Sequence, residues 1–339
     1  MSEQPSPIVA VTMGDPAGIG PEIVVSAYPR LLETARPVAI GDADVLRRAV
    51  EVVGGDLEVV AVDSPADAAA DPDVLPMIDL NNVEELTRGV VREAYGAASL
   101  AYVERAIDLA IAGEIDAMTT APINKQATRL AGSEHAGHTG LLAARTDTEH
   151  YSMMLVEDDL TVTHVSTHVP LREACDVVTT ENVLATIRVT DRALRQMGVS
   201  DPAIVVAGLN PHASDGGLLG DADDEEIRPA VEAAREDGID ASGPASPDTV
   251  YAQAAGGAYD CVVAMYHDQG HIPIKMLGFA SGDAVSGVNV TIGLPIVRTS
   301  VDHGTAFDIA GEGIASDTSL VDAVELASTI ARRRAASTV

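Results

Sequence analysis

A mainly parallel β-sheet covered by helices is the fold class this sequence predicts, and three observations carry it. Apolar runs of strand length alternate with amphipathic stretches of helical length along all 339 residues. No apolar run reaches the roughly 18 residues of a membrane span. Hydrophobic residues make up 46% of the chain, ample for one large core or two ordinary ones. Strands are expected at 8–13, 38–40, 57–62, 117–120, 152–156, 161–166, 203–207, 261–265 and 288–292, each an apolar run ended by turn residues. Helices are expected at 21–32, 43–53, 89–112, 180–197, 223–236, 247–255 and 320–335. The clearest, 89–112, carries a stripe of Val90, Ala94, Ala97, Ala98, Ala101, Val103, Ile107 and Ile111. Four carboxylates at 223–226 suit the positive end of a helix, and arginines at 332–334 suit a negative end.

The charge balance narrows the partners. Fifty-two acidic residues face 21 basic ones, a formal charge of −31, so nucleic acid is an unfavourable partner. Only two of those basic residues are lysines, Lys125 and Lys275, so both stand out. An ammonium can give up a proton when desolvated and a guanidinium cannot, which makes each a candidate for chemistry. High acidity, scarce lysine and many small apolar residues point to a halophilic, salt-adapted cytoplasmic protein, because molar salt shrinks the screening length to about 3 Å. Two cysteines, Cys175 and Cys261, form no disulfide framework, and neither an export signal nor a membrane segment is apparent.

Several polar segments leave predicted strands. Residues 11–23, V-T-M-G-D-P-A-G-I-G-P-E-I, make a tight loop aimed at a helix start; it either cradles an anion or serves packing, and it lacks the dinucleotide fingerprint. T-T-A-P-I-N-K-Q-A carries Lys125, and G-H-T-G places His138 and Thr139 between glycines. His168, His212 and His267 each follow an apolar strand, and three imidazoles converging at one sheet end would form a catalytic divalent-metal site. His135, His150, His164, His271 and His303 rank below them, although His303 in V-D-H-G-T-A could line the same cavity. Lys275, Asn289 and Arg298 extend a polar, glycine-rich series through 265–306 suited to an anionic phosphate or carboxylate.

The segments M-G-D-P-A-G-I-G-P-E, G-H-T-G, T-H-V-P-L, G-L-N-P-H-A-S-D-G-G, P-D-T, A-M-Y-H-D-Q-G and G-L-P-I-V-R-T-S-V-D-H-G-T-A closely resemble the 4-hydroxythreonine-4-phosphate dehydrogenase family, in order from 11 to about 311. The resemblance implies an α/β fold of two α/β/α domains, isocitrate/isopropylmalate dehydrogenase-like, in a homodimer. Domains are expected at 1–128 plus 265–339 and at 129–264, the latter carrying the dimer interface. It implies NAD or NADP as cofactor with a divalent metal ion (zinc, magnesium or cobalt). His168, His212 and His267 would hold the metal, one subunit's histidine completing the other's site. His138, Thr139, Asp248, Lys275, Asn289 and Arg298 would bind substrate, with Lys275 catalytic and Lys125 of unsettled role. Asn210, Gly216, Gly217, Asp302 and His303 would bind the cofactor. The implied reaction is oxidative decarboxylation of 4-phosphohydroxy-L-threonine to 3-amino-2-oxopropyl phosphate in pyridoxine biosynthesis.

Two departures keep a second substrate class open. The chain carries A-S-G-D-A-V-S at 280–286, longer than expected near Asn289, and G-H-T-G-L-L in place of an acidic-aromatic G-H-T-E-F. A sister group acts on D-threonate or D-erythronate 4-phosphate, giving dihydroxyacetone phosphate and carbon dioxide. The salt reading makes a prediction of its own: the thermal midpoint rises between dilute buffer and molar KCl, and a midpoint that stays flat or falls removes it.

Overall fold

The computed structural model describes residues 6–133, 137–280 and 287–337, so His135 and most of the 280–286 segment lie outside the described residues. The chain divides into two compact units, Met1–Asp147 with Pro295–Val339, and Thr148–Leu294. Both boundaries lie later than the 128/129 and 264/265 expected from the sequence. Residues 129–147 stay with the first unit, where Arg145 pairs with Asp108, and 265–294 stay with the second, where the strand Val288–Ile292 pairs with Ser152–Glu157.

In chain order the first unit supplies β1 (Ile8–Thr12), α1 (Gly20–Leu31), β2 (Arg36–Gly41), α2 (Ala43–Val53), β3 (Glu58–Ala61), β4 (Val74–Asp79), α3 (Glu93–Ile111), β5 (Ala117–Thr120), α4 (Lys125–Leu130) and α5 (His138–Arg145). The second unit follows with β6 (Ser152–Glu157), β7 (Leu160–His164), α6 (Leu171–Val177), α7 (Thr180–Met197), β8 (Ile204–Ala207), α8 (Arg228–Glu236), β9 (Ala241–Ala245), α9 (Val250–Ala255), β10 (Cys261–Ala264), α10 (His267–Ala280) and β11 (Val288–Ile292). The chain then returns to the first unit as β12 (Arg298–Val301) and α11 (Thr318–Ser337). No helix among the described residues is long and apolar enough to cross a membrane.

The first unit's strands run in the order β3-β4-β2-β1-β5-β12, all parallel, with α3 and α11 packed against β1 and β5. The second unit's order is β11-β6-β7-β10-β8-β9, antiparallel at β11/β6 and β6/β7 and parallel beyond. Local chemistry sets the helix limits. Asp42 caps α2 by accepting from the amides of Asp44 and Val45, and Gly54 ends it at φ 73°. Thr179 and Gly198 do the same for α7.

Three strands and four helices are absent from the sequence expectations, for identifiable reasons. β12 reads R-T-S-V, without an apolar run, yet it is buried: Thr299 Oγ1 lies 2.9 Å from Thr119 Oγ1 and donates to Ala323 O at 2.8 Å. β4 and β9 contain Pro76 and Pro244, which argue against a strand; β9 lies at the sheet edge, where proline is tolerated. α4, α5 and α6 are only 6, 8 and 7 residues long. α10 hides behind Gly270, Pro273 and Gly278 in a segment that reads as loop. A Cβ at Gly270 would lie 2.4 Å from His164 Nε2 and 2.7 Å from a Val162 methyl, so close packing demands that glycine, and one at Gly278 would lie 2.9 Å from the Glu157 carboxyl carbon. The expected 223–236 helix splits into a π-turn at Asp223–Ile227 and α8.

The loop after β1 serves packing. Asp15 N bonds Pro122 O, Gly18 N bonds Asp15 O, Ile19 N bonds Thr305 O, and Ala17 N bonds Asp15 Oδ1, so these amides are engaged within the protein. Gly14 sits at φ 73°, where a Cβ would press on Pro122 O at 2.2 Å. Asp15 is fully buried, its Oδ2 has no hydrogen-bond partner, and burial pushes its carboxyl from 3.8 up to about 6. Because the folded value is raised, the folded state holds the proton more tightly than the unfolded chain. This contribution to stability is complete below about pH 3.8 and is lost as the pH rises through about 6. Asp15→Asn, which keeps the acceptor for Ala17, is expected to raise stability at neutral pH by roughly 1–3 kcal/mol. Urea unfolding should also show a flatter pH dependence across that window; an unchanged slope contradicts it.

Candidate active site

In the first unit, parallel pairing sets Arg298 of β12 beside Met118 and Ser300 beside Thr120 of β5, while α5 opens with His138. Arg298 Nη2 donates to Thr120 Oγ1 at 2.7 Å and to His138 Nδ1 at 3.0 Å. A guanidinium only donates, so His138 Nδ1 must offer a lone pair and the ring proton sits on Nε2. That Nε2 is buried without a hydrogen-bond partner. Burial first, then the charges of Arg298 and Lys125, hold His138 well below the ordinary histidine range, and the ring is neutral. Burial brings Arg298 down from 12.5 to about 9, which leaves it charged at neutral pH. Arg298 is 4% exposed and His138 9%. A fixed cation beside a buried, unsatisfied N–H donor is chemically suited to an anionic oxygen. Thr139 follows on the same helix, half-buried, and Lys125 is the exposed first residue of α4, capped by Asn124. Asp302 and His303 follow β12, with His303 Nδ1 3.0 Å from Gly304 O.

In the second unit, His168 and His267 come together with ring centroids 5.4 Å apart and line a cleft of about 290 Å3 with Thr167, Tyr266 and Asp268. His267 Nδ1 lies 2.7 Å from Asp268 Oδ1. His212 stands apart from these two, its Nδ1 3.4 Å from Ser246 Oγ and 3.8 Å from Asp248 Oδ2. Ser246 also donates to Asp248 at 2.6 Å and holds that carboxyl below its usual value. Asp248, expected at the substrate, thus lies beside His212, linked to it through Ser246. Among the described residues no three His, Cys, Asp or Glu side chains gather closely enough within one chain to hold a metal ion.

His212 lies on an unusual backbone. Residues His212, Ala213, Ser214 and Asp215 all have positive φ, at 54°, 52°, 66° and 46°, a left-handed turn without glycine. The buried Asp223 holds it, accepting from Leu209 N at 2.8 Å, Asn210 N at 3.2 Å, Asn210 Nδ2 at 2.9 Å and the Ser214 hydroxyl. The Asn210 side chain is therefore committed to this clamp, while Gly216 and Gly217 follow it exposed at φ 70° and 89°. Lys275 is half-buried on α10, and Asn289 lies opposite Leu155 on β11 with its Oδ1 buried and unpartnered.

Sequence reasoning passed over Thr120, Asp223 and the pair His164–His271. Burial holds His164 down at about 3 and His271 at about 4. The spacing of His267, His271 and Lys275, four residues apart, was a legible sign that one helix face carries all three.

The chain matches the sequence model of the family described as pyridoxal phosphate biosynthetic protein PdxA over residues 33–327. It is 46% identical over 330 residues to a D-threonate 4-phosphate dehydrogenase of Pectobacterium atrosepticum, covering 96% of this chain and 100% of the relative. It is 44% identical over 326 residues to a 4-hydroxythreonine-4-phosphate dehydrogenase of Desulforapulum autotrophicum, covering 95% and 94%. A crystal structure of a 4-hydroxythreonine-4-phosphate dehydrogenase from Klebsiella pneumoniae matches with a TM-score of 0.84 at 45% identity, covering 96% of this chain and 100% of that one.

The Asp223 clamp yields a stability prediction. Asp223→Ala strands buried donors and is expected to cost about 2–3 kcal/mol in urea unfolding; a wild-type midpoint contradicts the clamp.

Proposed function

Because the chain belongs to the PdxA family, we propose that this dehydrogenase oxidises and decarboxylates a 4-phosphorylated hydroxy acid with NAD or NADP as hydride acceptor. The observation that carries the reading is the buried Arg298 cation beside the unsatisfied Nε2–H of His138, a receptor suited to the phosphate. Relatives named for 4-hydroxythreonine 4-phosphate and for D-threonate 4-phosphate support this substrate class. Oxidation of the C3 hydroxyl in either compound gives a β-keto acid, which loses carbon dioxide. The product is 3-amino-2-oxopropyl phosphate from the amino acid, or dihydroxyacetone phosphate from D-threonate or D-erythronate 4-phosphate.

The chain's own groups take distinct parts. Arg298 supplies fixed charge to the phosphate, neutral His138 supplies one directed N–H, and Thr139 a hydroxyl at the same helix start. Asn289 offers its unpartnered Oδ1 to a substrate donor. Lys275 moves the proton of the C3 hydroxyl and stabilises charge on that oxygen. Asp302, His303 and the loop carrying Asn210, Gly216 and Gly217 serve the nicotinamide cofactor, which accepts the hydride when bound; Asn210 acts there through its backbone, since its side chain holds Asp223.

The histidine surroundings fit a divalent ion. His267 turns Nδ1 to the Asp268 carboxylate and His212 turns Nδ1 to the Ser246 hydroxyl, which itself bonds Asp248; each arrangement orients the imidazole and leaves Nε2 for the ion. His168, His212 and His267 would hold zinc, magnesium or cobalt, which polarises a substrate oxygen when bound. Among the described residues no three such side chains gather within one chain, and in this reading a second subunit of a homodimer supplies the missing histidine. Exposed Ile272 and Met276 on α10 and Leu171 on α6 supply apolar surface for such a partner. A cytoplasmic setting suits the two free cysteines.

Nicotinamide reduction measured with 4-phosphohydroxy-L-threonine, D-threonate 4-phosphate and D-erythronate 4-phosphate, in molar KCl with a divalent ion, tests the reading. At least one is expected to turn over and to stop on chelation; failure of all three overturns it, and the relative rates decide whether the amino group is read. Lys275→Arg is expected to lower turnover by about 100-fold or more with an unchanged fold, whereas near-normal turnover removes Lys275 from the chemistry.

A further inference from the structure

His164 and His271 have no part in the functional reading so far, yet they form a tightly constrained polar contact in the second unit. His164 ends β7 at 1% exposure, and His271 lies on α10 one turn after His267. His164 Nδ1 faces Met153 O at 3.2 Å, and a carbonyl only accepts, so this nitrogen carries the proton. His271 Nδ1 lies 3.1 Å from His267 O, which by the same rule makes it a donor. The same His271 Nδ1 lies 3.1 Å from His164 Nε2, which must therefore be a bare lone pair. One N–H is thus shared between two acceptors, and rotating the His271 ring by half a turn would replace that N–H with carbon and lose both bonds.

The locked ring is stacked on His267, with centroids 3.6 Å apart and planes 11° from parallel. Gly270 permits the arrangement, because a side chain there would collide with His164 Nε2 at 2.4 Å. The His267 ring is also held at Nδ1 by Asp268, an exposed carboxylate for which water competes.

We propose that His271, locked by His164 to the Met153 carbonyl, is a positioning residue that fixes the plane of the His267 imidazole and so directs its Nε2 at the bound ion. The inference rests on the reading of His267 as a metal ligand. The arrangement acts before any substrate arrives, so its signature is ion affinity and not turnover alone.

The test is a Co2+ titration of the full chain as purified, in competition with a chromophoric chelator, alongside thermal unfolding of the metal-free protein. His271→Leu keeps volume but removes both the stack and the N–H, and is expected to weaken Co2+ binding about 10- to 100-fold. His271→Phe restores a stacking ring without the N–H and is expected to fall between the two. A purely structural role would lower the metal-free midpoint and leave Co2+ affinity at the wild-type level; that result overturns the proposal. Should His271→Leu fail to fold, wild-type affinity in His271→Phe overturns it equally. A wild-type chain that binds no Co2+ removes the ligand reading itself, an outcome distinct from wild type and variants binding alike.

Discussion

Arg298 anchors the first unit's candidate anion site from a place where a charge is costly. It is almost wholly buried on a strand of otherwise neutral residues, and burial weakens even a guanidinium's hold on its proton. Its donors to Thr120 and His138 offset part of that cost and have a further effect on the imidazole. By occupying Nδ1, the guanidinium places the histidine proton on Nε2, while burial first and then the charges of Arg298 and Lys125 keep the ring from taking a second one. The buried cation thus fixes the direction of the Nε2–H and adds to the burial that keeps the ring neutral. The parallel pairing of β12 with β5 makes this possible, since it brings Arg298 and Thr120 to neighbouring strands although they lie 178 residues apart.

The second unit applies the same physics to aim rather than to charge. Asp268 bonds His267 and Ser246 bonds His212, a buried carboxylate holds the left-handed turn beneath His212, and a neutral histidine pair braces His267. The turn and the histidine pair place backbone strain and buried polarity beside these imidazoles, as is expected where geometry matters more than local stability.

Much of this was legible in the sequence. The nine apolar strands, the long amphipathic helices and the three strand-end histidines follow from periodicity and spacing, and the motif series points to the family that the comparisons show. What escaped has a common physical cause. β12 is buried with its threonine and arginine side chains hydrogen-bonded to neighbouring elements, so it carries no apolar signal, and α10 contains Gly270, which makes room for His164, together with Pro273 and Gly278, so it reads as loop. Thr120, Asp223 and His164 act on other side chains across long sequence separations, and only folding brings them into reach. Of the three candidate metal histidines, His168 and His267 come together among the described residues of one chain, and a set completed from a second subunit carries no signal in a single sequence.

The central claim is that a neutral His138 presents Nε2–H to a phosphate oxygen beside Arg298. NMR of the histidine-labelled chain around pH 7, with and without a phosphorylated hydroxy acid, tests it most directly. The account predicts a neutral ring protonated on Nε2 whose N–H signal moves downfield as the ligand binds. A ring protonated on Nδ1, a charged ring, or an N–H indifferent to the ligand would contradict it.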